Sequence, residues 1–172
     1  MEVYLSSVET LPVPTLAVIE GWAIGGGLAI AGVCDLRIAT PGSRFGIPIA
    51  RTLGNCLSTE NYARLVAGFG AARVKRMLLM ADPVGAEEAL ACGFLTEIVA
   101  AEALDGRIGD ICERLVSHAP VTMRTAKEAI RRLIHAGIPL GDDLVAESYG
   151  SRDFRIGVEA FVAKTQPQWE GR

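Results

Sequence analysis

A run of three glycines, Gly25-Gly26-Gly27, stands between two apolar segments and constrains the fold more than any other feature of the chain. Upstream, Thr15-Leu16-Ala17-Val18-Ile19 is apolar on both faces at strand spacing, which predicts a buried strand. Downstream, Leu28 to Val33 reads as a short apolar helix. Glycines at such a junction let a ligand approach the main chain closely. The first turn of the helix leaves N–H groups without intrahelical partners, and with the positive helix end they can stabilise an anion or a developing oxyanion. Two phosphate-binding patterns do not fit. A P-loop requires Lys and then Ser/Thr after its last glycine, whereas Leu28-Ala29 follows here. A G-x-G-x-x-G fingerprint started at Gly25 and Gly27 reaches Ile30 instead of glycine. Two readings stay open: a tight turn packing helix on strand, or an oxyanion site. The second predicts a Gly26 N–H free of main-chain partners and facing a cleft.

Around this junction the chain divides by character. Glu2 to Thr10 has room for a short helix before Leu11-Pro12-Val13-Pro14, whose prolines enforce extended backbone. Gly21 to Gly27 breaks the first strand, Cys34 to Ala39 is a second strand, and Pro41-Gly42 turns the chain towards Arg44-Phe45-Gly46-Ile47. Strand, helix and strand in so short a stretch form a tight βαβ-like unit. Leu53 to Cys56 is loop, and helices follow over Ser58 to Val66, Ala71 to Ala81 and Ala86 to Cys92, with a brief strand at Leu95 to Val99. The remainder is helical: Glu102 to Ser117, a helix opened by Pro120, Gly141 to Tyr149, and Ser151 to Lys164. No internal repeat is visible. Two short strands are too little sheet to stand alone, so part of the sheet is expected to be absent.

Composition narrows the function classes. The chain has 172 residues, 50% of them hydrophobic and 22% charged, enough for a core and too apolar for disorder. Seventeen Lys and Arg against 20 Asp and Glu give a net charge of -3, without the concentrated basic face of a nucleic-acid binder. No stretch approaches the roughly 20 apolar residues of a membrane span, and Met1-Glu2-Val3 is unlike the basic start of a secretion signal. A cytoplasmic protein is expected. The 4 cysteines show no C-x-x-C, and with 2 histidines besides they predict no metal site.

Longer motifs add a resemblance. Pro14 to Gly27, Cys34-Asp35-Leu36-Arg37-Ile38-Ala39 and Arg44-Phe45-Gly46-Ile47-Pro48 occur in order. They are followed by Leu53-Gly54, Arg64-Leu65, Glu87-Glu88-Ala89, Cys92-Gly93-Phe94-Leu95 and Ala119-Pro120. Ala126-Lys127-Glu128-Ala129 comes next, then Arg155, Gly157, Ala160-Phe161, Lys164, Pro167, Trp169 and Gly171-Arg172. This pattern resembles the enoyl-CoA hydratase/isomerase (crotonase) family over essentially the whole chain. The resemblance implies the α/β crotonase-like (ClpP/crotonase) spiral fold of ββα units. The incomplete N-terminal core would span residues 1–100 and a helical C-terminal oligomerisation region residues 101–172. It implies acyl-CoA or enoyl-CoA thioesters as substrates, coenzyme A entering only as part of the thioester, and a homo-oligomer, either a trimer or a dimer of trimers. Gly26 would supply one of two oxyanion N–H groups, with Gly25 and Gly26 lining the thioester site, and Lys164 would approach the nucleotide part of CoA held by a neighbouring subunit. The other oxyanion donor and the adenine-binding backbone would belong to a family segment preceding Met1.

The departures are as informative as the matches. Family hydratases use two glutamates, one acting on water and one moving the second proton; their positions here are Ala29 and Ile49, and neither can transfer a proton. In the altered stretch, Asn55 and Cys56 stand where the family has a proline- and glycine-rich loop, and Glu60 is the one carboxylate nearby. Glu60 is a candidate acid/base group, although a first-turn acid also favours its helix through the dipole. Arg124, Lys127 and Arg131 share a helix face, and Asp142, Asp143 and Glu147 follow on the next helix, a pattern expected of a salt-laced surface or interface. His118 and His135 read as surface or helix-terminal residues. Two functions are therefore consistent with the sequence: a family enzyme with altered chemistry, or a non-catalytic acyl-CoA-binding or assembly subunit.

Overall fold

The computed structural model describes residues 2–171. The chain opens with α1 (Glu2–Glu9), β1 (Leu16–Ile19), β2 (Trp22–Ile24), α2 (Gly26–Val33), β3 (Leu36–Ala39), β4 (Arg44–Gly46) and α3 (Ile49–Thr52). It continues through α4 (Thr59–Phe69), α5 (Ala71–Leu79), β5 (Val84–Gly85), α6 (Ala86–Ala91) and β6 (Glu97–Ile98). The rest is helical: α7 (Leu104–Val116), α8 (Pro120–His135), α9 (Asp142–Gly150) and α10 (Arg152–Ala163).

The strands form two 3-stranded sheets, ordered β1-β3-β6 and β2-β4-β5. β1 pairs parallel with β3, Leu16 opposite Leu36, and β2 pairs parallel with β4, Trp22 opposite Arg44. Each turn of the chain thus gives one strand to each sheet and then a helix, so β1-β2-α2 and β3-β4-α3 are successive turns of a ββα spiral. This corrects two sequence expectations. The expected break from Gly21 to Gly27 contains a strand, because Trp22–Ile24 gains a parallel partner 22 residues on that local propensity does not reveal. The turns also form a repeat that the sequence hides, since their side chains differ while their strand pairing recurs. A further short strand, β5, runs antiparallel to β4, with Phe45 opposite Val84.

Strand register is fixed by a side-chain lock at the bottom of the first sheet. Asp35 Oδ2 accepts from Thr15 N–H at 2.7 Å and from Thr15 Oγ1 at 2.8 Å, while Asp35 N–H donates to Thr15 Oγ1 at 3.0 Å. Arg37 then closes the end of α2, its guanidinium donating to the carbonyls of Ala31 and Cys34 and, through Nε at 2.6 Å, to Phe94 O. A cation at a helix C-terminus is favoured by the dipole. The guanidinium also lies 4.7 Å from the Phe94 ring centroid. Phe45, Phe69 and Phe94 fill the core between the sheets and the helices, with Phe69 stacked on Phe94 at 3.9 Å and Phe45 edge-on to Phe94 at 5.4 Å. β1 and β2 are the outer strands of their sheets, and Val18 and Trp22 on them are exposed.

The C-terminal helices dock by close backbone approach. At Gly157 of α10, an added Cβ would sit 2.3 Å from Leu53 O, and at Gly141, before α9, one would sit 2.4 Å from Thr59 Cγ2. Ser151 caps α10 by accepting from Phe154 N–H at 3.0 Å, as Ser58 caps α4 by accepting from Asn61 N–H at 3.3 Å. No helix among the described residues is long and apolar enough to cross a membrane.

Candidate functional site

The parallel pairing of β2 with β4 builds the glycine turn. Gly25 adopts φ 56° and ψ -114°, a conformation open to glycine, and its N–H donates to Gly46 O at 3.0 Å. That bond pins the turn against the end of β4, three residues before Ile49. The first bond at this end of α2 runs from Ala29 N–H to Gly25 O at 3.0 Å, so the amides of Gly26, Gly27 and Leu28 precede it. Gly26 and Gly27 are exposed and Leu28 is buried beneath them. The helix begins two residues earlier than the apolar run alone predicts.

The two positions at which the resemblance leads one to expect acid/base glutamates differ in environment. Ala29 is half-buried on α2, and Ile49 begins α3 with its side chain inside the hydrophobic core. Glu60 is exposed in the first turn of α4, where Ser58 does the capping. Lys164 ends α10 in a left-handed conformation, φ 55°, exposed, its N–H donating to Phe161 O at 3.3 Å.

Two cavities flank this region. One, about 450 Å³, lies between α8 and the lower end of the first sheet, lined by Asp35, Arg37, Phe94, His118, Lys127 and Ile130 among others. The second, about 870 Å³, lies between α3 with its following loop and α9, lined by Ala50, Gly54, Asn55, Glu147, Asp153 and Trp169 among others. Gly26 lines neither, so the cleft expected in front of its N–H is not one of these two cavities. Glu60 lines neither as well. No cluster of three or more His, Cys, Asp or Glu among the described residues could hold a metal ion.

Several charged residues read as surface groups prove to be internal links. Lys127 Nζ lies 2.7 Å from Asp35 Oδ2 and donates to Val13 O at 3.1 Å, its side chain only 12% exposed, so it ties α8 to the start of β3. His135 Nε2 lies 3.1 Å from Glu9 Oε1 at the other end of α8. Glu9 also receives both arms of Arg64, at 3.1 and 2.9 Å, and Arg64 reaches Glu2 at 3.1 Å. Burial alone would raise the Glu9 carboxyl, but the hydrogen bonds and charges of Arg64 and His135 outweigh it and hold the group below the usual carboxylate range. Burial likewise opposes the charge on Arg64, and Glu9 and Glu2 more than offset it. Arg37, paired with carbonyls and an aromatic face, is lowered by burial. Arg64 was visible as part of a motif; its carboxylate partners, more than fifty residues upstream, were not. Asn55 and Glu147 were visible only as a departure and as one of several acids, with no signal that they line one cavity.

A sequence model described as "Enoyl-CoA hydratase/isomerase" matches residues 1–172. The chain belongs to the enoyl-CoA hydratase/isomerase family. Among curated proteins it is 33% identical over 165 residues to "Short-chain-enoyl-CoA hydratase" of Clostridium acetobutylicum, covering 91% of this chain and 61% of that protein. It is 30% identical over 166 residues to "Crotonyl-CoA hydratase" of Syntrophomonas wolfei, covering 91% of this chain and 62% of that protein. Among solved structures, "Methylmalonyl-CoA decarboxylase in complex with 2-nitronate-propionyl-CoA" superposes with a TM-score of 0.90 at 26% identity, over 98% of this chain and 66% of that one. An enoyl-CoA hydratase/isomerase from Pseudoalteromonas atlantica T6c gives 0.83 at 26% identity, over 97% and 68%. The fold is therefore crotonase-like, mixed α/β with a helical C-terminal region, and the chain spans about three fifths of the curated relatives it matches.

Proposed function

We propose that this chain carries the thioester-binding half of a crotonase-type site, in which the Gly26 N–H stabilises the thioester oxygen as it becomes enolate-like. The observation that carries this reading is the exposed start of α2. The Gly26 and Gly27 amides precede the first intrahelical bond, on exposed residues of a turn whose shape is pinned by Gly25 N–H on Gly46 O. The acyl-CoA names of family relatives and of a solved neighbour support the ligand class. Residues 1–100 act as the α/β core and residues 101–172 as the oligomerisation region, in a trimer or a dimer of trimers. Leu133, Leu140, Phe161 and Val162 are each at least 65% exposed, which supports a partner surface there. Lys164, at the exposed end of α10, is assigned to the nucleotide part of CoA held by a neighbouring subunit.

The reaction is not family-standard hydration. Adding water to an enoyl thioester needs one group to activate water and another to deliver a proton. With Ala29 and Ile49 at the two family positions, neither group is present there. Those apolar residues equally favour a second reading, a non-catalytic acyl-CoA-binding or assembly subunit. Glu60, exposed and outside both cavities, ranks as a helix-dipole acid before an acid/base group.

The test pairs binding with turnover. Calorimetry of the chain with butyryl-CoA should show binding, and loss of the conjugated absorbance of crotonyl-CoA should show no hydration above the uncatalysed rate. Gly26→Pro removes the donor at a helix position where proline is tolerated, and should weaken thioester binding more than binding of free CoA. Hydration at a rate ordinary for the family would overturn the chemical reading. Absence of thioester binding would overturn the functional one.

A further inference from the structure

The cavity of about 450 Å³ under α8 falls in the size range of small-molecule sites, and Val33, Leu115, Met123 and Ile134 give it apolar walls. The same walls carry four fixed cations, Arg37, Arg64, Lys127 and Arg131, against two carboxylates, Glu9 and Asp35. Three of the cations are paired: Arg64 with Glu9 at 2.9 Å, Lys127 with Asp35 at 2.7 Å, and Arg131 with Glu128 at 2.8 Å. Arg37 is different. It forms no ion pair with a carboxylate among the described residues, and Asp35, two residues before it, is committed to Thr15 and Lys127. Its Nε and Nη1 donate to the carbonyls of Phe94, Ala31 and Cys34, which leaves Nη2 without a partner. Unlike the buried Asn55 Oδ1, that nitrogen is not shut off from solvent. Burial opposes the charge on Arg64, yet its carboxylate partners carry it above the ordinary guanidinium value; on Arg37 burial prevails and the value is lowered.

We propose that this cavity binds a small monocarboxylate with an apolar tail, of the size of a short fatty acid, its carboxylate on the free Arg37 Nη2 and its tail against α8. Charge complementarity sets the head group. A guanidinium in a partly desolvated wall gains a charge-assisted hydrogen bond from a carboxylate, stronger than one from a neutral group. Only one of its nitrogens is free, and Glu9 and Asp35 stand on the same walls, which favours one negative charge over the two of a phosphate. The apolar side chains set the tail, because each methylene removed from water there adds to binding. The site is separate from the glycine turn: Gly26 does not line it, and Arg37 closes the opposite end of α2. Since Arg37 holds the core side of the cavity and Met123 and Ile134 belong to α8, a ligand spanning them ties α8 to the core and stabilises the fold by mass action.

Hexanoate, hexan-1-ol and hexylammonium test this, because they share one tail and differ in head group. Their dissociation constants for the 172-residue chain are measured by calorimetry, with the melting temperature as a second readout. Hexanoate is expected to bind about tenfold tighter than hexan-1-ol or more, the range of one hydrogen bond to a charged group, and hexylammonium more weakly than either. Gly32 lines the cavity, and a Cβ added there meets nothing within 4 Å, so Gly32→Leu fills the space without a clash and should weaken hexanoate about tenfold while the chain stays folded. Arg37→Met should bring hexanoate down to the level of hexan-1-ol. Should Arg37→Met fail to fold, the head-group series and Gly32→Leu decide, since both leave the guanidinium in place. Hexan-1-ol binding as tightly as hexanoate, or inorganic phosphate raising the melting temperature as much, overturns the monocarboxylate assignment. Hexanoate affinity unmoved by Gly32→Leu overturns the location, and no binding of hexanoate overturns the proposal outright.

Discussion

Replacing Gly157 by alanine sets two opposed effects against each other, and the structure says which wins. Gly157 lies inside α10, where alanine is intrinsically better than glycine by about 1 kcal/mol. The added Cβ, however, would lie 2.3 Å from Leu53 O, 2.6 Å from Leu53 C and 3.0 Å from Leu53 Cα. All three atoms are main chain, so no side chain can swing away. Restoring ordinary contact requires α10 to lift by about 1 Å, enough to forfeit a quarter to a half of the dispersion attraction along the seam. Overpacking of this kind costs about 1–3 kcal/mol, and with a rigid backbone opposite, the upper part of that range applies. The net expectation is destabilisation of about 1–2 kcal/mol, or a melting temperature lower by about 2–8 °C for a chain of this size. Gly106→Ala and Gly109→Ala are the matched controls. Both glycines are exposed within α7, and a Cβ at either meets nothing within 4 Å, so alanine there should stabilise by about 0.5–1 kcal/mol each. Urea unfolding of the three variants, with protease cleavage in α10 as a local reporter, separates the terms. A Gly157→Ala chain as stable as the α7 variants, with α10 no more readily cleaved, would falsify the close-docking argument.

Other expectations concern the buried charges. Arg64→Ala strands Glu9 beside α4 with His135 as its remaining partner, and should cost about 3 kcal/mol or more in urea unfolding; a loss under 1 kcal/mol would mean that water replaces the guanidinium. Because Glu9 is held below its ordinary value of 4.5 when folded, its contribution is complete above that value and disappears as the pH falls through the folded one. Stability measured from pH 6 to pH 2 should therefore fall at the acid end, with a shallower fall in Glu9→Gln; parallel curves would count against the assignment. Asp35→Asn removes the acceptor shared by Thr15 and Lys127, and should loosen both the β1–β3 start and α8. Hydrogen exchange ought then to quicken in β1 and α8 together, and an effect confined to α8 would show that the strand register does not depend on the carboxylate.

What the sequence made legible follows from what is local. The glycine turn, β1, β3, the loop before Ser58 and each C-terminal helix could be read from patterns a few residues long, because apolar spacing, proline and capping act at that range. β2 could not: Trp22-Ala23-Ile24 lies between glycines, and only pairing with Arg44–Gly46 makes it a strand. The charged face of α8 misled for a related reason. Arg124, Lys127 and Arg131 are equivalent on a helical wheel, yet Lys127 is drawn inward by Asp35, 92 residues away. The same limit governs the candidate site. The sequence showed apolar residues, Ala29 and Ile49, where the family resemblance leads one to expect carboxylates, since a motif fixes positions along the chain. It could not show that Glu147 and Asn55 line one cavity, because they belong to segments far apart along the chain that only tertiary packing brings together. The glycine turn and the seam between the core and the last helices are thus legible to different degrees, the turn from adjacent residues and the seam only from distant pairs such as Gly157 and Leu53.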